Sequence, residues 1–248
     1  MASVSEALQS RGRKFSLTVK NADTQHADVK GTPTMTLIYL IRHGETDWNR
    51  ERRIQGSTDI SLNDVGRAQA ARTGRLLRAH DWGGIASSPL SRAFETALII
   101  AGNLDFDPLL IESIPALGER RYGAAEGLDQ QQLLERFPPG TPVPGRETRH
   151  AVAARVIPAM ISFAERHPGS NLIVTTHGGA IRSVLERVAP DSPIHLGVPI
   201  TNGSVHSFQH VHGGIELVRF DDPIELESVA SDCEDLLVQN AVEQREAP

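Results

Sequence analysis

A single cysteine, Cys233, leaves no partner for an intramolecular disulfide, which excludes a disulfide-stapled scaffold and suits a reducing compartment. Long apolar runs are absent too. None reaches the roughly 18–20 residues of a membrane span, and the first residues lack the apolar core of a secretory signal. A cytoplasmic protein with no membrane partner is the expectation. There is no internal repeat and no low-complexity block. Nor is there the excess of lysine and arginine that a nucleic-acid binder carries. The formal charge is −6, but its location matters more. From Asp221 onward there are nine acidic residues against Arg245 alone, whereas acidic and basic residues balance between 35 and 220. An anion-binding site in this chain must therefore be local.

What is present reads as one main domain of 248 residues, with ends of different character. Residues 1–34 read as a poorly structured N-terminal extension. Residues 35–222 read as the catalytic domain. Residues 223–248 read as an acidic tail, a packed helix and then disorder, because Val229, Cys233, Leu236 and Leu237 fall near helical spacing.

Within the domain, apolar runs alternate with amphipathic stretches. Thr36–Ile41, Ile85–Ser87 and Leu172–Thr176 have the character of buried strands, with a further strand around Leu109–Ile111. A helix is expected to start in a capping box at Ser61-Leu-Asn-Asp64 and run to about Ala79. Another is expected to start with Ser88 as cap and Pro89 in its first turn, ending near Ala101. Helices are also expected over Leu128–Arg136, Thr148–Arg166 and Ala180–Val188. The proline-rich stretch Pro138–Gly145 is a loop. Ser204–Gln209 and Gly214–Phe220 form a hairpin turning at Gly213-Gly214. Alternation of this kind predicts an α/β fold: a three-layer α/β/α sandwich around a mostly parallel central sheet.

Three segments carry chemistry. Leu40-Ile-Arg-His-Gly-Glu-Thr46 puts Arg42 and His43 where a strand ends, the place at which open α/β sheets bind ligands. Thr175-Thr-His-Gly-Gly179 repeats the design, with His177 at a strand end and the Gly178 amide at a helix N-terminus, where anions are favoured. A lone histidine at such a place is usually structural; two are harder to dismiss. The third segment, Ser87-Ser-Pro-Leu-Ser-Arg-Ala-Phe-Glu-Thr96, puts Arg92 in the first turn of a helix. A cation there opposes the helix dipole, and a bound anion would offset it.

Together these segments resemble the histidine phosphatase superfamily, which includes cofactor-dependent phosphoglycerate mutases and many small phosphatases. Arg42-His43-Gly44 matches its Arg-His-Gly signature, Arg92 its second arginine and His177 its second histidine. Glu119, in Leu117-Gly-Glu-Arg-Arg-Tyr-Gly-Ala-Ala-Glu-Gly127, matches its acid. The similarity spans roughly Thr36 to Phe220. It implies a phosphoglycerate mutase-like fold, with His43 as a phosphoryl-accepting nucleophile and Arg42, Arg92, His177 and the Gly178 amide around the phosphate. It also implies Glu119 as general acid and then base. Asn49, Gln55, Gly56 and Ser57 are implied as phosphate or substrate contacts, and Tyr122 as a substrate contact.

The implied substrate is a small phosphorylated metabolite, hydrolysed through a phosphohistidine with no cofactor required. The competing reading is a phosphoglycerate mutase primed by 2,3-bisphosphoglycerate. Glu119-Arg-Arg-Tyr-Gly123 resembles the mutase form of the acid loop, yet the paired arginines of the mutase insert have no counterpart between Leu128 and Thr176. Hydrolysis is therefore preferred. A non-catalytic phosphate-binding protein ranks last, because His43 and Glu119 are both present. The sequence leaves a homo-oligomer open. No metal-ligand spacing stands out, and His206, His210 and His212 read as surface residues of an edge hairpin.

Overall fold

The computed structural model describes residues 35–221. The N-terminal extension and the acidic tail with its expected helix lie outside the described residues. Six strands form one sheet: β1 (Thr36–Arg42), β2 (Gly84–Ser87), β3 (Glu112–Ser113), β4 (Asn171–Thr176), β5 (Val205–Val211) and β6 (Gly214–Arg219), in the order β3-β2-β4-β1-β5-β6. β1, β4, β2 and β3 run parallel, and the β5–β6 hairpin joins antiparallel to β1.

Period-2 side-chain alternation in the central strands builds two cores, one on each face. Ile38 and Leu40 of β1, with Leu172 and Val174 of β4, pack against α5 (Arg149–Arg166) and α6 (Gly178–Val188). Tyr39 and Ile41, with Ile173, pack toward α3 (Ser91–Asn103) and Leu77, which follows α2 (Asp64–Leu76). A strand buried on both faces reads as a continuous apolar run, and Thr36–Ile41 is one. The expected three-layer α/β/α architecture is what forms. Two short helices, α1 (Asp47–Arg50) and α4 (Gln130–Arg136), decorate the connections.

Local expectations fail in four places. The strand expected at Leu109–Ile111 is a 3₁₀ turn over Pro108–Leu110, capped by Asp107, and the edge strand β3 follows it. α2 is capped by Asn63, whose side chain accepts from the Gly66 amide, so the start lies two residues beyond Ser61. α3 begins at Ser91, not Pro89. The Ser88 hydroxyl instead contacts the His177 ring. His206 is not a surface residue. β5 is flanked by β1 and β6, and His206 is fully buried against Phe220, with ring centroids 4.7 Å apart. His210 is half-buried and His212 is exposed in the turn.

Candidate active site

β1 and β4 are hydrogen-bonded neighbours, and Arg42 lies opposite Thr176 at the end of their shared register. His43 and His177 are the next residue on each strand. Their ring centroids are 5.1 Å apart, and the His43 amide donates to the Thr176 carbonyl (2.9 Å). The sheet itself thus brings together two residues that the chain separates widely.

Both rings are buried. Nδ1 of His43 lies 2.6 Å from the Gly44 carbonyl oxygen. A carbonyl can only accept, so Nδ1 carries the proton and Nε2 keeps its lone pair. Burial, then the positive charges of Arg92 and Arg42, hold the His43 ring well below the usual imidazole range; the hydrogen bond to Gly44 works the other way without prevailing. His177 is held down similarly, by burial first and then by Arg92, His43, Arg42 and Arg155. Neutral imidazole is therefore the resting form of both.

Arg92, at the second position of α3, is fully buried. Its guanidinium donates to the carbonyls of Thr58 (2.9 Å) and Gly56 (2.8 Å). Burial pushes it down to about 10, and the carboxylates of Glu119 and Asp59 oppose that shift. Arg42 donates to the carbonyl of Ile200. Three buried polar atoms here have no hydrogen-bond partner among the described residues: Arg92 Nε, His177 Nδ1 and Gln55 Oε1. Each such atom costs about 1–3 kcal/mol. Such atoms, one of them on the His177 ring itself, mark a polar site and not a packed core.

Glu119 reaches the same region, where its charge acts on Arg92. Its carboxylate accepts from the amides of Arg120 (2.7 Å), Ala180 (3.0 Å) and Gly179 (3.2 Å), the last two at the N-terminus of α6. Gly179 is needed for this approach, because a Cβ there would lie 2.7 Å from a Glu119 oxygen and 3.0 Å from the Tyr122 hydroxyl. Gly178 opens α6 directly after His177. Tyr122 is buried, with the guanidiniums of Arg120 and Arg146 at 5.3 and 5.6 Å from its ring centre.

The loop residues divide. Gly56 offers its carbonyl to Arg92 from a left-handed backbone (φ 55°). Ser57 turns its amide and hydroxyl to the Glu126 carboxylate (both 3.0 Å). Asn49 uses Oδ1 to cap the amide of Thr46 in a reciprocal capping box. Asn202 then links the Asn49 side chain to the His43 carbonyl (2.9 Å).

Several partners escaped sequence reasoning. Ser88 contacts His177 Nε2 at 2.7 Å. Glu126 gathers the amides of Ser57, Thr58 and Tyr122, tying two loops together. Burial works against that carboxylate, yet those hydrogen bonds bring it below the usual range. Asn202 follows an irregular stretch and offered no periodic signal. Among the described residues no group of histidine, cysteine, aspartate or glutamate side chains could hold a metal ion, and no helix is long and apolar enough to cross a membrane.

PhoE of Bacillus subtilis, named an uncharacterised phosphatase, is 36% identical over 175 residues, covering 71% of this chain and 89% of that protein. Phosphoglycerate mutase-like protein 4 of Arabidopsis thaliana is 37% identical over 188 residues, covering 71% and 80%. The structure of phosphoserine phosphatase from Entamoeba histolytica, in complex with 3-phosphoglyceric acid, superposes with a TM-score of 0.64 at 27% identity, covering 75% of this chain and 97% of that one. The model of the histidine phosphatase superfamily (branch 1) matches residues 38–223, and the chain belongs to that family.

Proposed function

We propose that the protein is a phosphomonoesterase that hydrolyses a small phosphorylated metabolite through a phosphohistidine on His43. The observation that carries this reading is the state of His43: a buried, neutral ring whose proton is fixed on Nδ1 by Gly44, between two buried arginines. A phosphate ester is an anion, and positioning and charge neutralisation dominate its transfer. The guanidiniums of Arg42 and Arg92 supply the charge, and the Gly178 amide and His177 complete the cradle.

In the first step His43 Nε2 bonds to phosphorus as the bond to the leaving oxygen breaks. Glu119 enters this step protonated and transfers that proton to the leaving oxygen. The ring becomes cationic, and its Nδ1–H already donates to a carbonyl. In the second step water gives a proton to Glu119 and its oxygen attacks phosphorus. The P–N bond breaks and inorganic phosphate leaves. The chain's own residues serve each step, so hydrolysis calls for no cofactor. A cavity of about 580 Å³ lies next to the acid loop, lined by Arg120, Leu133, Phe137, Val143, Arg146 and Arg149. A cytoplasmic setting fits a chain with one cysteine.

Relatives named as mutases keep a second reading in view, in which the phosphoryl group returns to another hydroxyl and 2,3-bisphosphoglycerate primes the enzyme. A panel of phosphorylated metabolites, assayed for released phosphate and for isomerisation of 3-phosphoglycerate, separates the two. Phosphate release that disappears in His43→Ala is expected. Brisk isomerisation with little release would overturn the phosphatase reading.

A further inference from the structure

Arg155 lies within α5, between the buried residues Ala153 and Val156. Its guanidinium is fully engaged. Nε donates to Glu147 Oε1 (2.9 Å), and Nη2 donates to Glu147 Oε2 (3.0 Å) and to the Glu119 carbonyl (2.9 Å). Nη1 donates to the carbonyls of Ala116 (2.7 Å) and Gly118 (2.8 Å). A guanidinium has five N–H bonds, and these contacts engage all of them.

The acceptors are not scattered. Three are backbone carbonyls of the segment carrying Glu119, which is neither helix nor strand from Gly118 to Tyr122. The fourth group, Glu147, is tied to the same segment from its other side. Its amide donates to the Arg121 carbonyl (2.8 Å), its carboxylate accepts from the Arg121 amide (3.2 Å), and its carbonyl accepts from Arg120 Nε (2.7 Å). The Glu119 backbone is thus held by Arg155 and Glu147, and its carboxylate by the start of α6. No ladder of secondary structure fixes it.

We propose that Arg155 is a positioning residue that, through the backbone of Glu119, aims that carboxyl at the leaving-group oxygen. This rests on the reading of Glu119 as general acid. Lysine cannot replace it, since one ammonium cannot span five acceptors in a plane.

The test compares two substrates by kcat/KM, which reports transfer to His43 and not the later hydrolysis. An alkyl phosphate such as β-glycerophosphate needs a proton on its leaving oxygen; 2,4-dinitrophenyl phosphate does not. General acid catalysis supplies about 10²–10⁴-fold. Arg155→Lys is therefore expected to lower kcat/KM for the alkyl ester by about 10²-fold and for the aryl ester by less than about threefold. Glu147→Gln, which keeps the volume but removes the charge, is expected to show the same split at smaller size. It decides the matter should Arg155→Lys fail to fold. Equal losses on both esters, or no loss on the alkyl ester, would overturn the proposal. Glu119→Gln serves as reference. If it shows the split and the Arg155 and Glu147 variants do not, the positioning role alone is wrong. If Glu119→Gln shows no split, the acid assignment has failed.

Discussion

His43 and His177 stand at the ends of adjacent strands, whereas Glu119 stands on a segment with no strand or helix of its own. The two halves of the site are therefore held by different forces. In the first, backbone hydrogen bonds of β1 and β4 and a core of Ile38, Leu40, Leu172 and Val174 set the spacing of the rings. Moving one ring means moving a strand. In the second, the side chains of Arg155 and Glu147 hold the backbone around Glu119, Glu126 holds the Tyr122 amide, and the first amides of α6 hold the Glu119 carboxylate. Such a half can be retuned one residue at a time.

Arg92 spans both halves, so its loss tests the comparison most severely. Arg92→Lys keeps a charge but not the fork that holds the Gly56 and Thr58 carbonyls. Steady-state assays are expected to show kcat/KM lower by about 10²–10³-fold with the fold intact by circular dichroism. A loss under tenfold would mean that Arg92 only props up the loop.

Gly56 sharpens the contrast on the loop side. Its φ of 55° disfavours a side chain, and a Cβ would lie 2.2 Å from Glu126 Oε1. Gly56→Ala is expected to cost about 1–3 kcal/mol in urea denaturation and to break the Glu126 clamp. A neutral result would show that the two loops part readily.

On the sheet side the test is pH. Burial, aided by Arg182 and His195, brings His206 down to about 3. In the unfolded chain the same ring takes a proton near pH 6.5. Between those values the unfolded state binds more protons, so stability falls as pH falls through that window. Wild type is expected to lose about 1.4 kcal/mol per pH unit more than His206→Gln between pH 6.5 and 3, read from denaturant midpoints at each pH. Parallel slopes would mean that the ring takes up a proton in the folded protein.

Legibility in the sequence follows the same division. Thr36–Arg42 and Asn171–Thr176 were readable because burial on both faces demands apolar runs, and each run ends on a histidine and glycine. The Gly213-Gly214 turn was readable from its glycines, and it marks the hairpin of β5 and β6. The depth of His206 was not, since burial of β5 depends on which strand pairs outside it. Ser88 misled because its hydroxyl meets His177 across the fold, which local capping rules cannot anticipate. Glu119 was readable only by resemblance to a family motif. Arg155 carried no signal, because its acceptors are backbone carbonyls that look alike in any sequence.

The central claim is a covalent bond from His43 Nε2 to phosphorus. Rapid-quench mixing of the protein with a ³²P-labelled phosphate ester, followed by separation of labelled protein, tests it directly. A label that is stable to base, labile to acid and located on the peptide carrying His43 is the predicted result, with none in His43→Ala. Turnover with no labelled protein at any mixing time, or label on another residue, would contradict it.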